Sequence, residues 1–134
     1  MTMTGGCYCG QVRYEARGPI QFKGQCMCRT CQKLSGGLGN LFMVVSADGF
    51  RYSEGTARTF QKQADTPARD FCGACGTQLT ARSHRAPGVV LIKVGTLDDP
   101  SVFEGPGGVF WTNEKQAFHH LPPDVPAHAT LPGR

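Results

Sequence analysis

Seven cysteines in 134 residues, gathered into three tight groups with none standing alone, constrain this chain more than any other feature it has. They fall as Cys7 and Cys9, then Cys26, Cys28 and Cys31, then Cys72 and Cys75. A disulfide framework joins distant positions pairwise, and an odd number of cysteines leaves one thiol over. Thiols two or three residues apart on one turn instead offer several soft donors to a single ion. The spacing therefore predicts metal ligation by six or seven cysteines, with zinc the expected ion, rather than disulfides.

The first and third groups together supply Cys7, Cys9, Cys72 and Cys75, enough to close a tetrahedral structural site. Glycines at 10, 73 and 76 permit the tight backbone that aims amide groups at thiolate sulfurs. The middle group, Cys26, Cys28 and Cys31, offers three thiolates, and a zinc with three protein ligands keeps a position for water or substrate. Alternatively a histidine or carboxylate from elsewhere closes it. Seven ligands can also be split in other ways, and sequence order does not decide between them.

The remaining composition fits a small, turn-rich domain. There are 18 glycines and 9 prolines, and apolar β-formers mark strands near residues 11–16, 40–46, 56–61, 77–81, 89–94 and 108–111. Between them lie turn signals such as Asp48-Gly49, Glu54-Gly55 and Ala86-Pro87-Gly88, the rhythm of an antiparallel, mainly β domain. Helix is expected only over a turn or two from Arg29 to Leu34, stopped by Gly36-Gly37. A single domain is read over residues 1–121, followed by an extended Pro-rich tail over 122–134 that runs loosely across the surface. No apolar run reaches the roughly 18 residues of a membrane span, and no basic and apolar leader is present at the N-terminus, so a reducing, cytoplasmic setting is expected. The formal charge of +4 counts each cysteine as neutral, and seven thiolates against two Zn²⁺ would cancel most of it. With no basic cluster carrying interleaved aromatics, a nucleic-acid partner is not expected.

Three motifs together resemble the glutathione-dependent formaldehyde-activating enzyme family, which also contains the centromere protein V relatives. They are Gly6-Cys7-Tyr8-Cys9-Gly10-Gln11-Val12-Arg13-Tyr14, Cys26-Met27-Cys28-Arg29-Thr30-Cys31-Gln32-Lys33-Leu34-Ser35-Gly36, and Phe71-Cys72-Gly73-Ala74-Cys75-Gly76-Thr77, with Trp111 and Leu121-Pro122 beyond them. The resemblance implies a β-tent fold of short antiparallel sheets with a zinc-ribbon-like corner. It implies two zinc ions, a structural one on Cys7, Cys9, Cys72 and Cys75 and a second on Cys26, Cys28 and Cys31, which would carry the catalysis. It further implies a carbon-sulfur lyase that joins formaldehyde to glutathione as S-hydroxymethylglutathione, with a small thiol and an aldehyde as substrates.

Other residues are candidates with competing roles. Arg29, Lys33, Arg82 and Lys93 can meet the carboxylates of a peptide-like thiol or simply be solvated. His84, His119, His120 and His128 can supply a fourth ligand or carry a proton, or lie idle on the surface. Ser35-Gly36-Gly37 can present amides to a developing alkoxide or cap the helix. Phe110 and Trp111 can line a pocket or fill the core. Two other functions stand against the enzyme: a non-catalytic, zinc-stabilised binding module, and a thiolate-zinc redox sensor.

Overall fold

A computed structural model describes residues 1–131; the last three residues of the expected tail, Pro132, Gly133 and Arg134, lie outside the described residues. The chain is mainly β, with ten strands and one α-helix among the described residues. In order these are β1 (Thr2–Gly6), β2 (Arg13–Arg17), β3 (Phe22–Cys26), α1 (Arg29–Ser35), β4 (Asn40–Ser46), β5 (Phe50–Glu54), β6 (Arg58–Phe60), β7 (Ala68–Phe71), β8 (Gln78–Arg82), β9 (Val89–Lys93) and β10 (Val109–Phe110). They form a three-stranded sheet, β1-β2-β5, and a seven-stranded sheet, β10-β3-β4-β9-β8-β7-β6. All pairings are antiparallel except the short parallel ladder of β10 on β3.

Period-2 alternation decides which side chains meet. Met3 of β1, with Tyr14 and Ala16 of β2, faces Met43 and Val45 of β4 and Val90 and Ile92 of β9, so the two sheets close over one buried core. The opposite face of the large sheet carries different residues. Cys26 pairs across from Asn40, Gly24 from Phe42, and Phe42 from Lys93, which brings Cys26 and Lys93 to one side of the sheet. Helix α1 lies against that side over β4.

Strands β1, β3, β5 and β7 were not anticipated from pattern. β1 reads Thr-Met-Thr-Gly-Gly and β7 Ala-Arg-Asp-Phe, too short and too rich in glycine or charge to show an apolar alternation. Their pairing partners hold them as strands. The segment after Pro122 is stitched to β10: the amide of Val109 donates to the carbonyl of Pro126, and the amide of His128 donates back to that of Val109. No helix among the described residues is long and apolar enough to cross a membrane.

Candidate metal centres and the clefts beside them

The four-cysteine cluster forms where two turns from different sheets meet. Cys7 and Cys9 sit in the β1–β2 connection, Cys72 and Cys75 in the turn between β7 and β8. Gly10 and Gly76 close these turns in left-handed conformations, at φ 83° and 80°. Their amides return to the carbonyls of Cys7 and Cys72, at 3.1 and 2.8 Å. All four sulfurs lie within 4.8 Å of one another, with Cys7 to Cys9 at 3.6 Å and Cys9 to Cys72 at 3.8 Å. A disulfide needs about 2.05 Å, whereas sulfurs at the corners of a tetrahedron with metal–sulfur bonds of about 2.3 Å stand about 3.8 Å apart. The set fits a tetrahedral ion, and all seven cysteines are free thiols.

Amide and hydroxyl donors converge on these sulfurs. The Val12 amide donates to Cys7 Sγ at 3.2 Å. The Thr77 hydroxyl accepts from the Tyr8 amide at 3.1 Å and lies 3.1 Å from Cys75 Sγ, to which its proton is free to go. One side chain thus links the two turns. That hydroxyl, followed by the backbone of Thr77, holds the Cys75 thiol down to about 5.

The second cluster opens α1. Cys26 ends β3, Cys28 is the helix N-cap and Cys31 lies in the first turn, where its amide donates to Cys28 Sγ at 3.4 Å. The three sulfurs also lie within 4.8 Å of one another. Thiol hydrogen bonds from Cys26 and then Cys31 push Cys28 far below the ordinary thiol range, while the same bond drives Cys26 above it. The cluster therefore favours negative charge on Cys28, as a thiolate ligand requires. Neither a histidine nor a carboxylate joins this group among the described residues.

Gln32, missed by sequence reasoning, fixes the cluster from below. Its Nε2 donates to the carbonyls of Met27 and Glu114, each at 2.8 Å, and its Oε1 accepts from Arg29 and Gln116. The Glu114 carboxylate caps the Arg29 amide at 2.7 Å. The contacts with Glu114 and Gln116 span more than 80 residues, so no local pattern announces them. Gly39 is required here by close approach: at φ 90°, a Cβ on it would stand 2.5 Å from the Cys26 carbonyl oxygen.

Two clefts flank the three cysteines. One, of about 580 Å³, is lined by Cys28 with Arg29, Lys33, Lys62, Arg69 and Trp111. None of its four cations takes part in an ion pair among the described residues. Trp111 borders it in a left-handed conformation (φ 61°), a strained state for an aromatic residue. The other cavity, of about 560 Å³, is bordered by Cys31 and Lys93. Burial lowers the Lys93 ammonium to about 8, against the opposing pull of the Cys31 thiol group.

A model of the glutathione-dependent formaldehyde-activating enzyme family matches residues 2–114, a span that takes in all seven cysteines. The chain belongs to this family. A Halomonas elongata protein that carries the provisional name glutathione-dependent formaldehyde-activating enzyme is 28% identical over 97 residues. That match covers 67% of this chain and 62% of the relative, so the chain spans less than two thirds of the relative's length. The crystal structure of a Rhodobacter sphaeroides protein superposes with a TM-score of 0.64 at 20% identity, over 78% of this chain and 97% of the other. At that identity the likeness establishes the fold alone.

For a member of the glutathione-dependent formaldehyde-activating enzyme family, the other candidate residues sort as follows. Arg29 and Lys33 line the basic cleft, together with Lys62 and Arg69, which the sequence did not single out. Arg82 instead binds Asp70 at 2.9 Å, in a network with Tyr52 and Thr59 that ties the two sheets together. His119 borders the cavity but has both ring nitrogens engaged: Nδ1 accepts from the Gln116 amide and Nε2 faces the Gly37 carbonyl at 2.7 Å. It is a pin between loops, with no lone pair left for a metal. His84 is exposed in the β8–β9 turn, and His128 stacks on the buried Phe110. His120 is exposed at the cavity edge. Gly36 caps α1 in the left-handed region, and the Gly37 and Gly39 amides donate to Ser35 Oγ, so this loop is a cap whose amides are spent.

Proposed function

We propose that this chain is a zinc-dependent enzyme of carbon–sulfur chemistry that adds a thiol of the glutathione kind to a small aldehyde, with formaldehyde as the reference substrate. In this reading Cys26, Cys28 and Cys31 hold the working zinc, and Cys7, Cys9, Cys72 and Cys75 hold a structural one. The observation that carries it is the position of the three-thiol cluster, which opens through Cys28 to a basic cleft and through Cys31 to a second cavity.

Zinc held by three thiolates with an open position would act as a Lewis acid, favouring the charged forms of sulfur and oxygen ligands. The reaction itself is an addition. A bond forms between the thiol sulfur and the carbonyl carbon, the π pair moves onto oxygen, and the sulfur's proton ends on that oxygen; nothing is oxidised or reduced. The protein's own residues supply orientation. Arg29, Lys33, Lys62 and Arg69 fit the carboxylates of a peptide-like thiol and place its sulfur at the cluster. The Lys93 ammonium, on the far side, offsets negative charge developing beside Cys31.

The test is zinc content per chain in protein purified reduced and without chelator, followed by exchange NMR of glutathione with formaldehyde. Two zinc ions per chain and an exchange rate raised by the protein but not by Cys28→Ser are expected. Two zinc ions with no effect on exchange would favour a binding module; loss of one ion on mild oxidation, with no catalysis, would favour a redox sensor.

A further inference from the structure

The cavity on the Cys31 side is far larger than a one-carbon aldehyde. Formaldehyde, with two heavy atoms, takes about twice a water molecule's share of liquid volume of about 30 Å³. It would fill about a tenth of the 560 Å³ available. Cavities of this size hold ligands with many heavy atoms, and bind them through apolar walls with a few polar groups placed to orient them.

That division of labour is present. Leu34, Leu38, Leu41 and Phe118 all border the cavity while exposing between 36% and 74% of their surface, which leaves its edge with apolar side chains that nothing among the described residues covers. Exposed apolar residues scattered singly need no explanation, but four around one opening do. The inner lining is mostly apolar, through residues such as the buried Met27 and Val94, with a few polar groups among them. It holds Lys93 and Gln78, and the Gln78 Oε1 is buried without a hydrogen-bond partner, the one such side-chain atom among the described residues. A buried carbonyl oxygen left unpaired costs about 1–3 kcal/mol, so it suits a ligand that brings a hydroxyl or amide proton.

We infer that this cavity receives the apolar chain of a larger aldehyde, with hexanal as the test case. The chain would lie between the four rim residues, with the carbonyl end at Cys31 and Lys93. The hydroxyl of the thiol adduct would meet Gln78. The inference rests on the thiol-addition reading for its chemistry, but the apolar site is testable without it.

Two measurements on the zinc-loaded protein separate the two ideas. The first is binding of 1-hexanol, an unreactive stand-in, followed by methyl NMR. Shifts confined to the methyl groups that line the cavity, Leu34, Leu38 and Leu41 at its edge with Met27 and Val94 inside, and lost in Leu38→Glu, are expected. The second is the rate enhancement over uncatalysed exchange with glutathione, compared for hexanal and formaldehyde. The enhancement for hexanal should exceed that for formaldehyde by about tenfold or more, the discrimination an apolar pocket gives, and that ratio should fall in Leu38→Glu. Hexanol binding with no catalysis of any aldehyde would sustain the apolar site and remove thiol addition. Formaldehyde catalysis with no hexanol binding, or shifts elsewhere, would overturn the inference and spare the reaction. A concentration-dependent dimer that Leu38→Glu dissolves, again without hexanol binding, would overturn it in favour of contact between copies.

Discussion

Thr77 shows how much of a metal site can depend on one uncharged side chain. Its hydroxyl has a single proton and two lone pairs, and the Tyr8 amide takes one lone pair, leaving the proton for Cys75. The residue therefore joins the two turns and supports the charge of a ligand at once. Thr77→Val keeps the shape and removes both bonds. It should lower metal affinity at the four-cysteine site by about tenfold or more, the usual cost of losing such an outer partner. Competition against a chromophoric chelator reads this directly; an unchanged affinity would mean that backbone amides alone stabilise the sulfurs.

At the scale of elements, α1 is the piece least able to stand alone. Seven residues are far below the length at which a helix is stable in water, so its place must come from contacts outside itself. Gln32 and Glu114 supply them, one clamping the Met27 carbonyl, the other capping the first turn. Gln32→Leu would leave the buried Met27 carbonyl without its donor and that of Glu114 with only the longer bond from Gln116 Nε2 at 3.5 Å. The expected cost is about 2–4 kcal/mol, read as a lower midpoint in urea. Gln116→Ala, which removes only the long bonds to Gln32 Oε1 at 3.4 Å and the Glu114 carbonyl at 3.5 Å, should cost well under half of that.

For the molecule as a whole, the two clusters sit in different places, and the proposed function gives them different work. The four-cysteine cluster ties the turn leaving β1, in the small sheet, to the turn between β7 and β8, in the large one, and Cys72 is 1% exposed. A structural zinc contributes about 10–16 kcal/mol in small zinc-dependent folds, comparable to the entire stability of an ordinary domain at about 5–15 kcal/mol. Cys72→Ser should therefore unfold the chain. Cys28→Ser, at a cluster attached mainly to one short helix, should remove one metal ion and leave a cooperative melt. Thermal melts with parallel zinc counts decide it, and equal damage from both substitutions would refute the division into structural and working sites.

The sequence by itself determined the features whose information is local. Two or three residues separate the cysteines within each group, so their clustering, and the turns that hold them, follow from short-range spacing. The helix after Cys28 and the apolar runs of β4 and β9 were legible for the same reason. Tertiary structure alone decided what lies around the sulfurs. Lys62 and Arg69 reach the cleft beside Cys28 across more than thirty residues of intervening chain, and Lys93 reaches the cavity beside Cys31 only through the β4–β9 register. His119, read as a candidate ligand, is spent on Gln116 and Gly37. Strands such as β1 and β7 carry too little apolar alternation to be read alone, because neighbouring strands supply the hydrogen bonds and burial that hold them. Spacing along a chain groups the donors of one turn, whereas the union of Cys7 and Cys9 with Cys72 and Cys75 and the walls of each cleft are assembled from distant segments, and only the folded arrangement states which those are.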